Sequence, residues 1–372
     1  MNWVKNLDKS VLEYVENLQD KDNLHIYSPN LSNVGDSKKN IELGFSCYAL
    51  KIYKLMDSID NFSEKELDIW ADYINSFQQD NKKYPKHSYV DQVYIDKFRE
   101  QNKENKIKSK LKTTSNFFLN TNYKNNIIKE AEYIRAETKQ SISTLYEIGR
   151  TNTKKFSAFP KGEKQINKFL RDLNWNFPWT SGAQLAALSV FSKTQLSEHE
   201  FKESKILILK FIENLVNKEN GLYYNSGYNP SNSEKINGAM KIITALDWLD
   251  EKIHYPKQLI ETCLSINPNS EGCDIVDMVY ILYKCSDVTE YRKNDVARYL
   301  LALLDIIRIH YKKDEGGFSY FKNNSQTHYY NVRFSKGENS SDLHGTLLMF
   351  WAVTMILRVL EESFFDFKTL KP

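Results

Sequence analysis

Cysteine, proline and glycine are all scarce in this chain: four, eight and 13 of its 372 residues. The cysteines, Cys47, Cys263, Cys273 and Cys285, form no C-x-x-C pair, which argues against a disulfide framework and against the common zinc spacings. Three of them sit in apolar helical stretches, so they read as buried free thiols in a reducing compartment. Charge of one sign is lacking too. A net charge of +3 gives no electrostatic footprint for nucleic acid, and no nucleic-acid partner is expected. The longest apolar run, from Gly345 to Leu357, is interrupted by threonine and falls short of the roughly 20 residues of a membrane span. No signal peptide opens the chain; Trp3, Leu7, Val11, Val15 and Leu18 fall instead at helical spacing. A soluble, cytoplasmic protein is the expectation. G-x-x-x-x-G-K-[ST], G-x-G-x-x-G after a strand, H-E-x-x-H and G-x-S-x-G are all missing. Nucleotide-dependent phosphoryl transfer, dehydrogenase chemistry and serine hydrolysis lose their support.

Strand patterns are almost missing as well, and helical periodicity fills the space. Helices are expected over 3–19, 39–57, 63–78, 125–149, 163–172, 181–193, 197–217, 235–250, 256–265, 272–285, 289–312 and 341–362. Five of them carry a glycine at or near the start of an apolar run: Gly44, Gly182, Gly238, Gly272 and Gly345. These runs are apolar on nearly every side, which predicts burial. Their polar residues gather in the first turns. A ring of inner helices with one end open to a shared cavity has this pattern. The 23 tyrosines and 20 phenylalanines suffice to wall such a cavity, or simply to fill a core.

A turn also repeats. Asp80-Asn81-Lys-Lys-Tyr84, Glu219-Asn220-Gly221-Leu-Tyr223 and Asp314-Glu315-Gly316-Gly317-Phe318 each follow a helix. Their spacing is close to whole multiples of a unit of about 47 residues, a length typical of stacked two-helix repeats. The sequence therefore predicts an all-α fold, an (α/α)6 toroid with an extra N-terminal helix. It is expected to be one domain over 1–372: an N-terminal helix and lead-in at 1–35, the toroid at 36–362 and a tail at 363–372. The polar stretch 98–116 reads as an insertion or exposed helix.

D-E-G-G-F-S-Y-F at 314–321 is similar to the repeat turn of the terpenoid cyclase and protein prenyltransferase superfamily, and with the helix order the resemblance spans roughly 39–361. It implies alternating inner and outer helices around a cavity that holds an isoprenoid. The superfamily's catalytic strings are not matched. D-x-D-D does not occur, and Asp274-Ile-Val-Asp277 has different spacing. Val279 stands where the zinc-binding cysteine of prenyltransferases would follow Asp277. D-D-x-x-D is missing too. Other α/α toroids act on glycans through Asp/Glu pairs, His, Tyr and Arg at the inner rim.

Three clusters could carry chemistry. The first is Gln326-T-His328-Tyr329-Tyr330-N-V-Arg333 through Asp342-Leu-His344. Histidine moves protons near neutral pH, tyrosine delivers one, and arginine forks onto a carboxylate or phosphate. Asp342 equally suits helix capping. The second cluster is Asp274 and Asp277, three apart on one helical face, where the helix dipole favours the anions. Capping and loop bonding are their structural alternatives. The third is Arg135 and Glu137 on a helix that turns apolar from Ile142, with Lys139 read as a surface ion-pairing residue. Asn237 with Lys241, and Trp179 with Gln184, open two further inner helices; packing is the plainer role for Trp179.

Two enzymatic readings and one non-enzymatic reading follow. An isoprenoid or similar hydrophobic substrate is worked on by acid/base or carbocation chemistry, with His344, Asp342, His328, Tyr330, Asp274 and Asp277 as catalytic candidates. Arg333, Arg135, Glu137, Asn237, Lys241, Trp179 and Gln184 are then the substrate-binding candidates. Alternatively the rim serves a uronate lyase, epimerase or glycoside hydrolase, or the toroid is a non-catalytic binding scaffold. No cofactor is called for, and no motif supports a divalent metal.

Overall fold

The computed structural model describes residues 1–34, 40–103 and 123–372. Among these, the protein is mostly helical, with thirteen α-helices and four two-residue strands. In chain order the helices are α1 (Leu7–Asn17), α2 (Leu43–Leu55), α3 (Glu64–Asn75), α4 (Gln92–Gln101), α5 (Asn126–Glu147), α6 (Gly162–Asp172) and α7 (Pro178–Gln195). They continue with α8 (Glu198–Leu215), α9 (Asn232–Trp248), α10 (Pro256–Leu264), α11 (Gly272–Ser286), α12 (Lys293–His310) and α13 (Leu343–Val359). Each segment expected from the sequence overlaps one of these helices. The addition is α4, capped by the Asp91 side chain on the Tyr94 amide and buried through Tyr94, Ile95 and Phe98. Residues 98–101 of the polar stretch form its last turn; 104–116 lie outside the described residues.

The packing order of the apolar helices is cyclic. α2 packs on α5, α5 on α7, α7 on α9, α9 on α11, α11 on α13, and α13 returns to α2. The sequence explains this. From Leu343 to Leu357 nearly every side chain of α13 is buried, so it must have neighbours on all sides. The amphipathic helices lie against this set: α3 on α2, α8 on α7, α10 on α11, and α12 on α13. The buried apolar residues form one contiguous cluster.

The glycines in the inner helices mark close approaches. A Cβ on Gly238 of α9 would stand 2.9 Å from the backbone of Pro178, the first residue of α7. One on Gly182 of α7 would stand 3.2 Å from the Gly238 carbonyl oxygen. Only hydrogen at both positions lets α7 and α9 meet this closely. Gly345 of α13 admits the Ser319–Tyr320 backbone in the same way.

The repeating turn is a minimal hairpin that follows a helix. Val216 bridges Tyr223 after α8, and β1 (Tyr311–Lys312) pairs with β2 (Gly317–Phe318) after α12. After α3 the bridging aromatic is Tyr89, not the expected Tyr84, because Gln78 pairs across a longer loop. A fourth copy, Gln19 with Tyr27, follows α1. The four aromatics Tyr27, Tyr89, Tyr223 and Phe318 are fully buried and plug the seams that the hairpins cross.

Candidate active site

Side chains of α2, α5, α7, α9, α11 and α13 line a cavity of about 480 Å³. On α5 its wall is Lys129, Glu132, Tyr133, Ala136, Lys139 and Gln140, a stripe at intervals of three and four. On α13 it is His344, Leu347, Leu348 and Trp351. The space exists because α5 and α7 put alanines inward, Ala136, Ala183, Ala186 and Ala187, where an ordinary core would carry larger residues. At 1.5 Å per residue, Lys139 lies about 15 Å along α5 from Lys129. Leu370 and Pro372 also join the wall. They are held there by Trp248 Nε1, which donates to the Pro372 carbonyl at 2.9 Å, and by Lys371 Nζ, which donates to the Asp247 carbonyl at 3.0 Å.

Six of the catalytic and substrate-binding candidates are on this wall: His344, Asp277, Tyr330, Lys241, Trp179 and Gln184. His344 stacks on Tyr48 with ring centroids 4.6 Å apart and planes within 6°. Its Nδ1 lies 3.1 Å from Gln326 Oε1. With that oxygen as acceptor, Nδ1 carries the hydrogen and Nε2 the lone pair. Burial, aided by the positive charge of Lys241, pushes the imidazole down to about 3, so it stays neutral. Asp277 behaves oppositely. Burial pushes its carboxyl up to about 7 against the pull of Lys241, with Asp274 adding to the rise. One of its oxygens, Oδ2, has no hydrogen-bond partner.

A second set stands behind the wall. Glu137 accepts from the Tyr329 hydroxyl at 2.7 Å, and its other oxygen is unpartnered. Burial pushes Glu137 up to about 8, with the Tyr329 bond opposing. Arg135 donates to Gln184 Oε1 and lies over the Phe169 ring. Asp274 accepts from Asn237 at 2.7 Å, Asn269 at 2.8 Å and Ser233 at 2.9 Å, so with Asn237 it ties α9 to α11. Asp342 caps α13. It accepts from the Gly345 and Tyr320 amides at 2.7 Å each and from the Gln326 amide at 2.9 Å. Burial raises its carboxyl to about 6 while these amides pull it down.

Two residues lie elsewhere. His328 and Arg333, paired across the β3 (His328–Tyr329) and β4 (Val332–Arg333) hairpin, are exposed and do not reach the cavity wall. The Arg333 guanidinium bonds the Ser335 carbonyl at 3.3 Å, and its amide bonds Gln101 at 2.8 Å.

Among the wall residues that the sequence reading missed are the lysines Lys139 and Lys51. Lys139 is not a surface ion-pairing residue. It faces the cavity and makes no hydrogen bond or salt bridge among the described residues. Burial, then the like charges of Lys51 and Lys241, hold its ammonium well below the usual lysine range. Lys51 is buried with its Nζ 3.4 Å from Ser143 Oγ. A lysine inside C-Y-A-L-K-I-Y, a run otherwise apolar, was the signal available for it. No group of three or more His, Cys, Asp or Glu side chains converges as a metal site among the described residues. None of their helices is long and apolar enough to cross a membrane. No protein-family model, curated protein or solved structure matches this chain, so its chemistry has to be argued from the cavity itself.

Proposed function

We propose that the protein is an enzyme of α/α-toroid architecture that holds an isoprenoid-like hydrophobic substrate in its central cavity and works on it by acid–base chemistry. The observation that carries this reading is the wall of the cavity. Trp179, Trp351, Tyr133, Leu347 and the inward alanines offer an apolar surface, interrupted by a few polar groups that converge on it. Its volume lies within the range of small-molecule sites. Asp277 is poised to exchange a proton near neutrality, and the neutral His344 offers a lone pair. Of the two chemistries that the resemblance implies, acid–base is favoured over a carbocation. Lys51 and Lys241 face the same space, and their charges oppose a developing cation. The cyclic packing order supports the toroid, with 36–362 as its extent. Four free cysteines support a reducing, cytoplasmic setting.

The glycan reading is weaker, since His328 and Arg333, two of its rim residues, stand off the cavity. A binding scaffold is also disfavoured, since side chains do not fill the centre. A thermal-shift series tests the proposal. Geraniol and farnesol should raise the melting temperature, whereas neutral and uronate oligosaccharides should not. A ligand at a hundred times its Kd adds about 2.7 kcal/mol, enough to be seen. Stabilisation by uronates, with none by the polyprenols, overturns the reading.

A further inference from the structure

We propose that Lys139 is a nucleophilic amine that forms an imine with an aldehyde or ketone substrate bound in the cavity. The inference rests on the reading of the cavity as a hydrophobic substrate site and names the functional group its substrate must carry.

Lys139 is placed as such an amine has to be. It lines the cavity, on the α5 stripe that also carries Ala136 and Gln140. Its ammonium has no carboxylate or carbonyl within bonding distance among the described residues. A lysine kept for structure would be expected to hold such a partner, because an unpaired buried charge is costly. Two further lysines, Lys51 and Lys241, face the same space and repel a proton on Lys139. Glu147, the carboxylate that favours the charged form of Lys139, makes no ion pair with it; one of its oxygens is engaged by the Lys371 amide, and burial raises its carboxyl. Desolvation and a neighbouring cation are the two means by which a lysine becomes a nucleophile at neutral pH. Lys139 has both.

The chemistry balances within the cavity. The Nζ lone pair forms a bond to the carbonyl carbon, and the carbonyl oxygen takes up the proton that nitrogen loses, giving a carbinolamine. A proton from a neighbouring ammonium group, Lys51 or Lys241, then leaves with the hydroxyl as water, and the nitrogen lone pair closes the carbon–nitrogen double bond as a protonated imine. Nothing is oxidised or reduced. The protonated imine draws electrons from the adjacent carbon, so a proton there becomes labile. Apolar walls keep bulk water from hydrolysing the imine at once.

Reductive trapping tests this on the full chain. Decanal and sodium cyanoborohydride are added at neutral pH, and the protein is read by intact mass and peptide mapping. The expected product is a single decyl adduct on Lys139, formed roughly tenfold or more faster than on any surface lysine, and lost in Lys139→Met. Circular dichroism checks that the variant folds, and mapping of the unaltered protein stands regardless. Decanol is run in parallel by thermal shift. Stabilisation by decanol with adducts spread over surface lysines, or on Lys51 or Lys241 instead, overturns the imine and leaves the hydrophobic cavity standing. Neither stabilisation nor selective trapping overturns both.

Discussion

Replacing Asp277 by asparagine should make the protein more stable at neutral pH than at acid pH, relative to the unaltered chain. The folded carboxyl is pushed up to about 7 from an ordinary 3.8. The gap of about three pH units is worth roughly 4 kcal/mol at full ionisation. A raised folded value means that the native state holds a proton that the unfolded chain has released. The stability that this proton contributes is complete below about pH 4 and is lost as pH rises through about 7. Asparagine has nearly the same shape and does not titrate. The difference in unfolding free energy, Asp277→Asn minus unaltered, should therefore climb by about 2 kcal/mol between pH 5 and pH 7 and flatten above about pH 8. Urea unfolding followed by tryptophan fluorescence at each pH measures it. Glu137 and Glu147 also titrate in the native state, but they are common to both proteins and cancel. A difference that stays constant across this range would refute the reasoning, because it would mean that Asp277 ionises as freely folded as unfolded.

Asp342→Ala should cost about 3 kcal/mol in urea unfolding, since it strips a cap from α13 and leaves the Tyr320 and Gln326 amides without their acceptor as well. Gly345→Ala should cost about 2 kcal/mol or more by the same assay, because the new methyl meets the Ser319–Tyr320 backbone, which cannot swing aside as a flexible side chain can. Tyr329→Phe removes the hydroxyl that Glu137 accepts and leaves that buried carboxyl without a partner. A loss of roughly 1–3 kcal/mol is expected in thermal unfolding. His328→Ala, on an exposed hairpin away from the cavity, should shift stability by less than about 0.5 kcal/mol and leave farnesol binding in the thermal-shift assay unchanged.

The helices were legible because their pattern is local. An apolar run such as Leu343–Leu357 cannot satisfy its side chains at a surface, and the amphipathic α8 announces one buried face by Ser204, Ile208 and Ile212. The glycines could be read as marks of close approach, but not as marks of what approaches. That Gly238 meets Pro178, and Gly345 the Ser319–Tyr320 backbone, depends on chain segments that come together only on folding. Helix α4 was hidden by the polar residues around it, and its burial comes from packing that composition does not record.

The same division runs through the site. Sequence alone placed His344 in the first turn of an inner helix and Asp277 on a buried one, since short-range spacing fixes both. It could not separate His344, which reaches the cavity, from His328, which sits in the same loop region and points to solvent. Nor could it reveal Lys139 as an unpaired cavity amine. Whether a lysine on a helix meets a carboxylate, water or another lysine is set by helices far away in the chain, here α2 and α9. The local propensities of the chain determined which segments coil and which faces are apolar. The tertiary structure alone decided which polar groups share one desolvated space, because desolvation and charge act through space and ignore distance along the sequence.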